Sequence, residues 1–354
     1  MRIFIIGPQW MGEWTEGMGR AVVALGHEVA VFFYSRSGNS TRLRHMSTRL
    51  LPPTLLRVLR SVANRLERSH DVLQNVLMNR RLIAAVRAFQ PAVIIVLKGD
   101  AISREALVAL RAQKIPLVSW WLDDPFNYPI SLLRHFELFD TVYVFDKECV
   151  AKLKARGIGH VSYLPCACDQ TIFYPQKLDP SDYPGLNCTI GFVATYYPGR
   201  AELLSQMKGL DIGLWGGGWW EAVHELRELP SGYWRGHRIT PADAARVYNL
   251  ARICPNVHHP QTHFGGLNTR TFEILAAGGF ELVDNVPGLE EHFDIGHEIV
   301  VYSSPANFRE LTEYYLSHPA ERSAIIERGH ARVMRDHTYK QRLETILKTL
   351  FIKG

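Results

Sequence analysis

The sequence predicts an α/β protein built from two doubly wound, parallel-sheet domains. At the N-terminus a buried strand, a glycine loop, a helix and a second apolar strand follow one another, an order that specifies a βαβ unit and hence a parallel sheet. The same alternation restarts near residue 188. At 354 residues and 47 % hydrophobic content, the chain can fill two cores of ordinary size. That content also argues against extensive disorder.

Arg2 to Ile6 is the first strand by composition, and it opens into Gly7-Pro8-Gln9-Trp10-Met11-Gly12. A helix is expected from Thr15 to Leu25, closed by Gly26, and then a strand from Glu28 to Tyr34. Further strands are expected at Ala92 to Leu97, Leu117 to Leu122, Thr141 to Phe145 and His160 to Leu164. Together they make an N-terminal domain over residues 1–165, in which ligands should collect at the carboxyl ends of the strands. Residues 36–87 break this rhythm, with eleven arginines against Glu67 and Asp71 as the acids. Inside that insert Leu55, Leu56, Leu59, Val62, Ala63 and Leu66 form an apolar stripe, with Arg57, Arg60, Arg65 and Arg68 around the opposite side. Two readings are open: a basic amphipathic helix lying on an anionic membrane surface, or a helix packed on its own domain that solvates its arginines.

After Leu164 the run Pro165 to Pro175 carries no period, and residues 166–186 read as a linker. A second domain, 187–338, opens with a strand from Cys188 to Ala194 and the turn Tyr196-Tyr197-Pro198-Gly199-Arg200, where a helix begins. A strand from Asp211 to Trp215 runs into Gly216-Gly217-Gly218-Trp219-Trp220. Helices follow from Pro305 onward, and residues 339–354 form a last helix. No internal repeat or low-complexity tract is visible.

The most informative stretch is Gly265-Gly266-Leu267-Asn268-Thr269-Arg270-Thr271-Phe272-Glu273, which leads through Gly278-Gly279 into the apolar run Phe280 to Val283. It reads as loop, short helix, glycine turn and buried strand. Asn268 is placed to cap the helix by accepting from a first-turn N–H. Arg270 and Glu273, three apart, share a face. The open N-terminus offers N–H groups and a positive dipole end, which favour a phosphate. A carboxylate one turn in is placed to accept from ribose hydroxyls. The chemistry indicated is nucleotide-diphosphate binding; the plainer reading is a helix with an internal ion pair.

From Gly236 to the C-terminus these residues resemble the GT-B glycosyltransferases, in particular the group similar to the spore-maturation protein CgeB. The resemblance is carried by Asn268, Arg270 and Glu273 with Gly278-Gly279, by Leu289-Glu290-Glu291-His292-Phe293, by Pro319-Ala320-Glu321-Arg322 and by His337-Thr338-Tyr339-Lys340-Gln341-Arg342. It covers roughly the last third of the chain strongly and the middle third weakly. It implies two Rossmann-like domains facing a cleft, acceptor in the first and nucleotide-sugar donor in the second, with the C-terminal helix crossing back to the first. The segment 165–175 is similar to the interdomain linker of such enzymes. Glu273 matches the second glutamate of their paired-glutamate motif, which holds the donor ribose. The position eight residues earlier is Gly265, so this chain departs from the motif at its first glutamate. Arg200 matches a basic residue that forks onto the pyrophosphate, although a surface arginine at a turn is the alternative. Gly217 lies in a triplet that lets backbone approach a ligand, or else is a bare turn. Gly236-His237-Arg238-Ile239 matches the segment whose backbone reads the base, with His237 itself a turn histidine on the plainer reading.

An inverting transferase needs a group to take the acceptor proton, and Glu13, Asp123 and Asp124 are the candidates. Asp-Asp-Pro is also turn chemistry; Asp123 fits the turn better and Asp124 the ligand-facing role. Trp120, Trp121 and Tyr128 either stack on a sugar or pack a core. Lys98 ends a strand, where it would meet an anionic acceptor. His258, His259 and His263 invite a metal reading, but no known ligand spacing accompanies them. The expectation is therefore no metal and no cofactor beyond the nucleoside-diphosphate sugar co-substrate. Net charge of +5 is too mild to imply nucleic acid. The acceptor class is open among glycan, lipid-linked and protein substrates. The alternatives are a non-catalytic nucleotide-sugar or glycan-binding protein and a nucleotide-sugar epimerase. Met1 to Gly7 is too short an apolar run for a signal peptide, and no run approaches the roughly 20 residues of a membrane span. Five scattered cysteines read as buried thiols in a reducing cytoplasm, with weak peripheral membrane contact through the insert as one reading.

Overall fold

In the computed structural model, which describes residues 1–35 and 72–351, the chain divides into two compact units. The first comprises Met1–Trp121, Pro125–Tyr143 and Lys154–Ser162; the second comprises Leu122–Asp124, Val144–Leu153 and Tyr163–Gly354.

The first unit is organised around a six-stranded sheet. Its strands are β1 (Arg2–Pro8), β2 (Glu28–Tyr34), β3 (Val93–Leu97), β4 (Leu117–Trp121), β5 (Thr141–Val144) and β6 (Val161–Tyr163), in the order β2-β1-β3-β4-β5-β6. β1 pairs in parallel with β2 and β3, and β3 in parallel with β4. β3 and β4 are buried along their whole length; β3 is the unbroken Val-, Ile- and Leu-rich run expected of a strand covered on both faces, while β4 carries Ser119 and two tryptophans. Helix α1 (Gly12–Ala24) starts three residues earlier than the spacing predicts. A 3-10 turn over Gln9–Met11 leads straight into it, and Glu13 falls in the first turn, where a carboxylate meets the positive end of the helix dipole. Residues 72–89 form helix α2, followed along the chain by α3 (Arg104–Arg111), α4 (Ile130–Leu133) and α5 (Lys147–Lys154). The apolar stripe and the arginines from Arg57 to Arg68 lie outside the described residues. Trp120 and Trp121 are buried, and Trp121 packs edge-on against Tyr128 and Phe136. They are core residues, not a sugar platform.

The second unit holds two three-stranded parallel sets, β7 (Ile190–Val193), β8 (Ile212–Trp215) and β9 (Trp234–Gly236), then β10 (Cys254–Asn256), β11 (Glu281–Asp284) and β12 (Val300–Tyr302). A parallel bridge between Ile190 and Ile253 joins the sets. The resulting order is β9-β8-β7-β10-β11-β12, and it reverses direction between β7 and β10. Helices α6 (Pro198–Ser205), α7 (Trp219–His224), α8 (Pro241–Leu250), α9 (Thr269–Ala276), α10 (Pro305–Ser317), α11 (Pro319–Asp336) and α12 (Tyr339–Phe351) complete it. Its core runs from Phe192 and Trp219 through Phe280 and Leu282 to Phe308 and Tyr315. All five cysteines are buried free thiols. Among the described residues no helix is long and apolar enough to cross a membrane.

Candidate functional site

In an open α/β sheet, adjacent loops on opposite sides of a strand-order reversal diverge and leave a crevice at the strands' carboxyl ends. In the second unit that place is between β7 and β10, and two arginines span it. Arg200, buried near the start of α6, donates from Nη1 to the Thr195 carbonyl after β7 (2.6 Å) and from Nη2 and Nε to the Val257 carbonyl after β10 (2.7 and 3.3 Å). Arg270, in the first turn of α9, donates from Nε to the Val193 carbonyl of β7 (2.8 Å) and from Nη1 to Asn256 Oδ1 of β10 (3.0 Å). Both guanidiniums stand over the Phe192 ring, at 5.8 and 5.6 Å. Burial first, and then the positive charge of Arg270, lower the Arg200 pKa to about 9. Both guanidiniums keep their positive charge over one ring, so each repels the other, and an anion between them would relieve that repulsion.

Asn268 caps α9 as expected, its Oδ1 accepting from the Thr271 N–H (3.2 Å). Its Nδ2 donates to Asn256 Oδ1 (3.0 Å), so the cap is itself braced from β10. Glu273, half-buried one turn in, shares the helix with Arg270. The loop before the cap is pinned by other residues of the second unit. Asp146, fully buried, accepts at Oδ2 from the N–H groups of His263 (2.8 Å) and Phe264 (2.9 Å). A side chain at Gly266 would overlap that same oxygen, so only glycine fits there. Tyr163 donates to the Gly265 carbonyl (2.7 Å) and accepts from His292 Nε2 (2.7 Å). Lys147 pairs with Glu291 beside them.

The structure thus gathers Arg200, Asn268, Arg270 and Glu273 around α6, α9 and the ends of β7 and β10. Gly217 is exposed in the turn after β8, and its carbonyl accepts from the Tyr196 N–H (2.8 Å), tying that turn to the one after β7. His237 is exposed just past β9, its ring 5.2 Å from that of Trp234. Glu13 is exposed on α1 of the first unit, and Lys98, in the same unit, is buried with its ammonium 5.2 Å from the Tyr128 ring. Asp123 is half-buried and Asp124 buried, and both fall in the second unit.

Two histidine–aspartate pairs escaped the sequence reading. His258 donates from Nδ1 to Asp284 Oδ1 (2.7 Å), and His263 Nε2 lies 3.3 Å from Asp124 Oδ2. The sequence invites a metal reading for His258 and His263, whereas the partner of each is a single aspartate brought in by the fold. Among the described residues no group of three or more His, Cys, Asp or Glu is arranged to hold a metal ion.

Residues 200–348 match the glycosyl transferase-like family. Spore protein CgeB of Bacillus subtilis is 25 % identical over 270 residues, covering 72 % of this chain and 82 % of the relative. Among solved structures, sucrose-phosphate synthase from Thermosynechococcus elongatus superposes with a TM-score of 0.67 at 13 % identity, over 100 % of both chains. Anabaena Alr3699/HepE, solved in complex with UDP, gives 0.63 at 13 % identity over 99 % of each chain. These neighbours establish the fold as GT-B. The family match and the fold support glycosyl transfer.

Proposed function

We propose that the protein transfers a glycosyl group from a nucleoside-diphosphate sugar to an acceptor hydroxyl. The observation that carries this is the pair of guanidiniums, Arg200 and Arg270, bridging β7 and β10 at the strand-order reversal. There they would bind the diphosphate and stabilise it as it departs with the bonding electrons. The N-terminus of α9 adds its dipole, and Glu273 accepts from the ribose hydroxyls. Three sources of positive potential at the leaving group support transfer without a bound metal. HepE of Anabaena has been solved with UDP and with UDP-glucose, which supports a nucleotide-sugar donor here. Gly265, where paired-glutamate enzymes carry their first glutamate, favours a second reading, a protein that binds the donor without turnover.

Calorimetric titration with nucleoside diphosphates tests the donor reading. Glu273→Gln should weaken binding by about 1–3 kcal/mol, the range for losing a charged hydrogen bond, with little change in stability. Unfolding of Glu273→Gln, with affinity intact in the folded fraction, would make Glu273 structural. Release of nucleoside diphosphate from a donor separates the transferase from the silent binder.

The acceptor we infer is a glycan, lipid-linked or protein hydroxyl reached from the cytoplasm, where buried thiols stay reduced. The basic insert gives a route to an anionic membrane, worth about 1 kcal/mol per nearby arginine and fading with salt. Co-sedimentation with anionic vesicles at low salt, lost at high salt, is the expected result; protein left in the supernatant at low salt ends that idea.

A further inference from the structure

Of the two histidine–aspartate pairs in the second unit, one is closed and the other open. The His258 side chain is 2 % exposed, and its Nε2 is enclosed without a hydrogen-bond partner. The His263 side chain is 30 % exposed while Asp124 beneath it is 7 % exposed. A proton acceptor must meet its substrate, so the open pair is the one that can act. With Nε2–H directed at Asp124 Oδ2 (3.3 Å), the tautomer is set and Nδ1 carries the lone pair. The other oxygen of Asp124 accepts from Cys149 Sγ at 3.6 Å, which fixes the carboxylate. The backbone is fixed as well, because the His263 and Phe264 amides both donate to buried Asp146. His263 stands two residues before Gly265 and five before the Asn268 cap of α9, on the same loop that leads into the donor helix.

We propose that His263, oriented by Asp124, is the general base that takes the acceptor's proton, an inference that rests on the glycosyl-transfer reading above. The acceptor O–H bond breaks as its oxygen bonds to the anomeric carbon, and the proton passes to Nδ1. The bond from that carbon to the diphosphate oxygen breaks, and its electron pair leaves with the nucleoside diphosphate. The imidazolium formed is paired with the Asp124 carboxylate until it releases its proton to water. His263 is the catalytic residue and Asp124 its positioning residue. The other charged groups around the pair are Asp146 and Glu148, the latter paired with Lys152.

The test measures UDP binding by calorimetry and nucleoside-diphosphate release from a panel of common nucleotide sugars, with water as acceptor. His263→Ala should lower kcat by about 100-fold or more while UDP affinity holds. His263→Gln, closer in size and polarity, should be as slow. Asp124→Asn should lower kcat while KM and UDP affinity hold, because the imidazolium formed during transfer loses its carboxylate. Wild-type kcat in both His263 variants, with UDP binding intact, overturns the inference and leaves the donor reading standing. A wild type that binds UDP but releases nothing from any donor overturns it too. Failure to bind any nucleoside diphosphate removes the donor reading and this inference with it.

Discussion

A guanidinium enclosed among backbone carbonyls is held by geometry as much as by charge, and Arg200 shows what that implies for substitution. Its planar fork reaches the Thr195 and Val257 carbonyls on two different strands' loops at once. Lysine keeps the charge but has one nitrogen, so it satisfies one side and leaves the other buried carbonyl without its donor. Each such loss costs about 1–3 kcal/mol. Arg200→Lys should therefore lower both the unfolding midpoint and nucleotide affinity, unlike Glu273→Gln, which should lower affinity alone. Thermal unfolding alongside calorimetry checks this; an Arg200→Lys protein of unchanged stability would mean the two carbonyls are satisfied some other way.

At the scale of elements, the turn after β8 is built on a backbone that only glycine tolerates. Gly216 has φ of 144°, and a Cβ there would run into the Ala194 carbonyl. That carbonyl already accepts from Trp219 Nε1 (2.5 Å), so it cannot swing away without breaking the α7 packing. Gly216→Ala should cost roughly 1–3 kcal/mol of stability from strain alone, whereas Gly217→Ala, with open space around it, should cost little. Denaturant midpoints for the pair decide it, and equal midpoints would contradict the clash. Local elements such as these were legible in the sequence because their signals are local. β2 spans Glu28–Tyr34 as its composition predicts, and the Asn268 cap of α9 follows from three-residue spacing. The His258–Asp284 and His263–Asp124 pairs were not legible. Their members stand 26 and 139 residues apart in the chain, and only the sheet order and the folding of Leu122–Asp124 into the second unit bring them together. The roles of Arg200 and Arg270 were half legible: their residue type pointed to phosphate, but the carbonyls that anchor them belong to strands whose adjacency no local pattern encodes.

At the scale of the molecule, two buried imidazoles set the response to acid. Burial lowers the His337 pKa to about 3 and the His292 pKa to about 4, in both cases aided by the charge of Arg342. In the unfolded chain both titrate near 6.5. Below that value the unfolded state binds protons that the native state refuses. Their contribution to stability is therefore complete above pH 6.5 and is lost as pH falls toward 4 and 3. The slope is about 1.4 kcal/mol per pH unit for each histidine. Denaturant unfolding at pH 7, 6 and 5 should show this decline, and a His292→Gln, His337→Asn double variant should flatten it. An unchanged slope in that variant would assign the acid sensitivity to carboxylates instead.

Donor binding and catalysis as proposed both require an anionic donor seated on the two guanidiniums at the β7–β10 reversal. A crystal structure with whichever of UDP, GDP, ADP, CDP or dTDP gives the largest thermal shift addresses it most directly. The diphosphate should lie within hydrogen-bonding distance of Arg200 and Arg270, with the ribose hydroxyls on Glu273. A nucleotide bound elsewhere, or no thermal shift from any of the five, would contradict it.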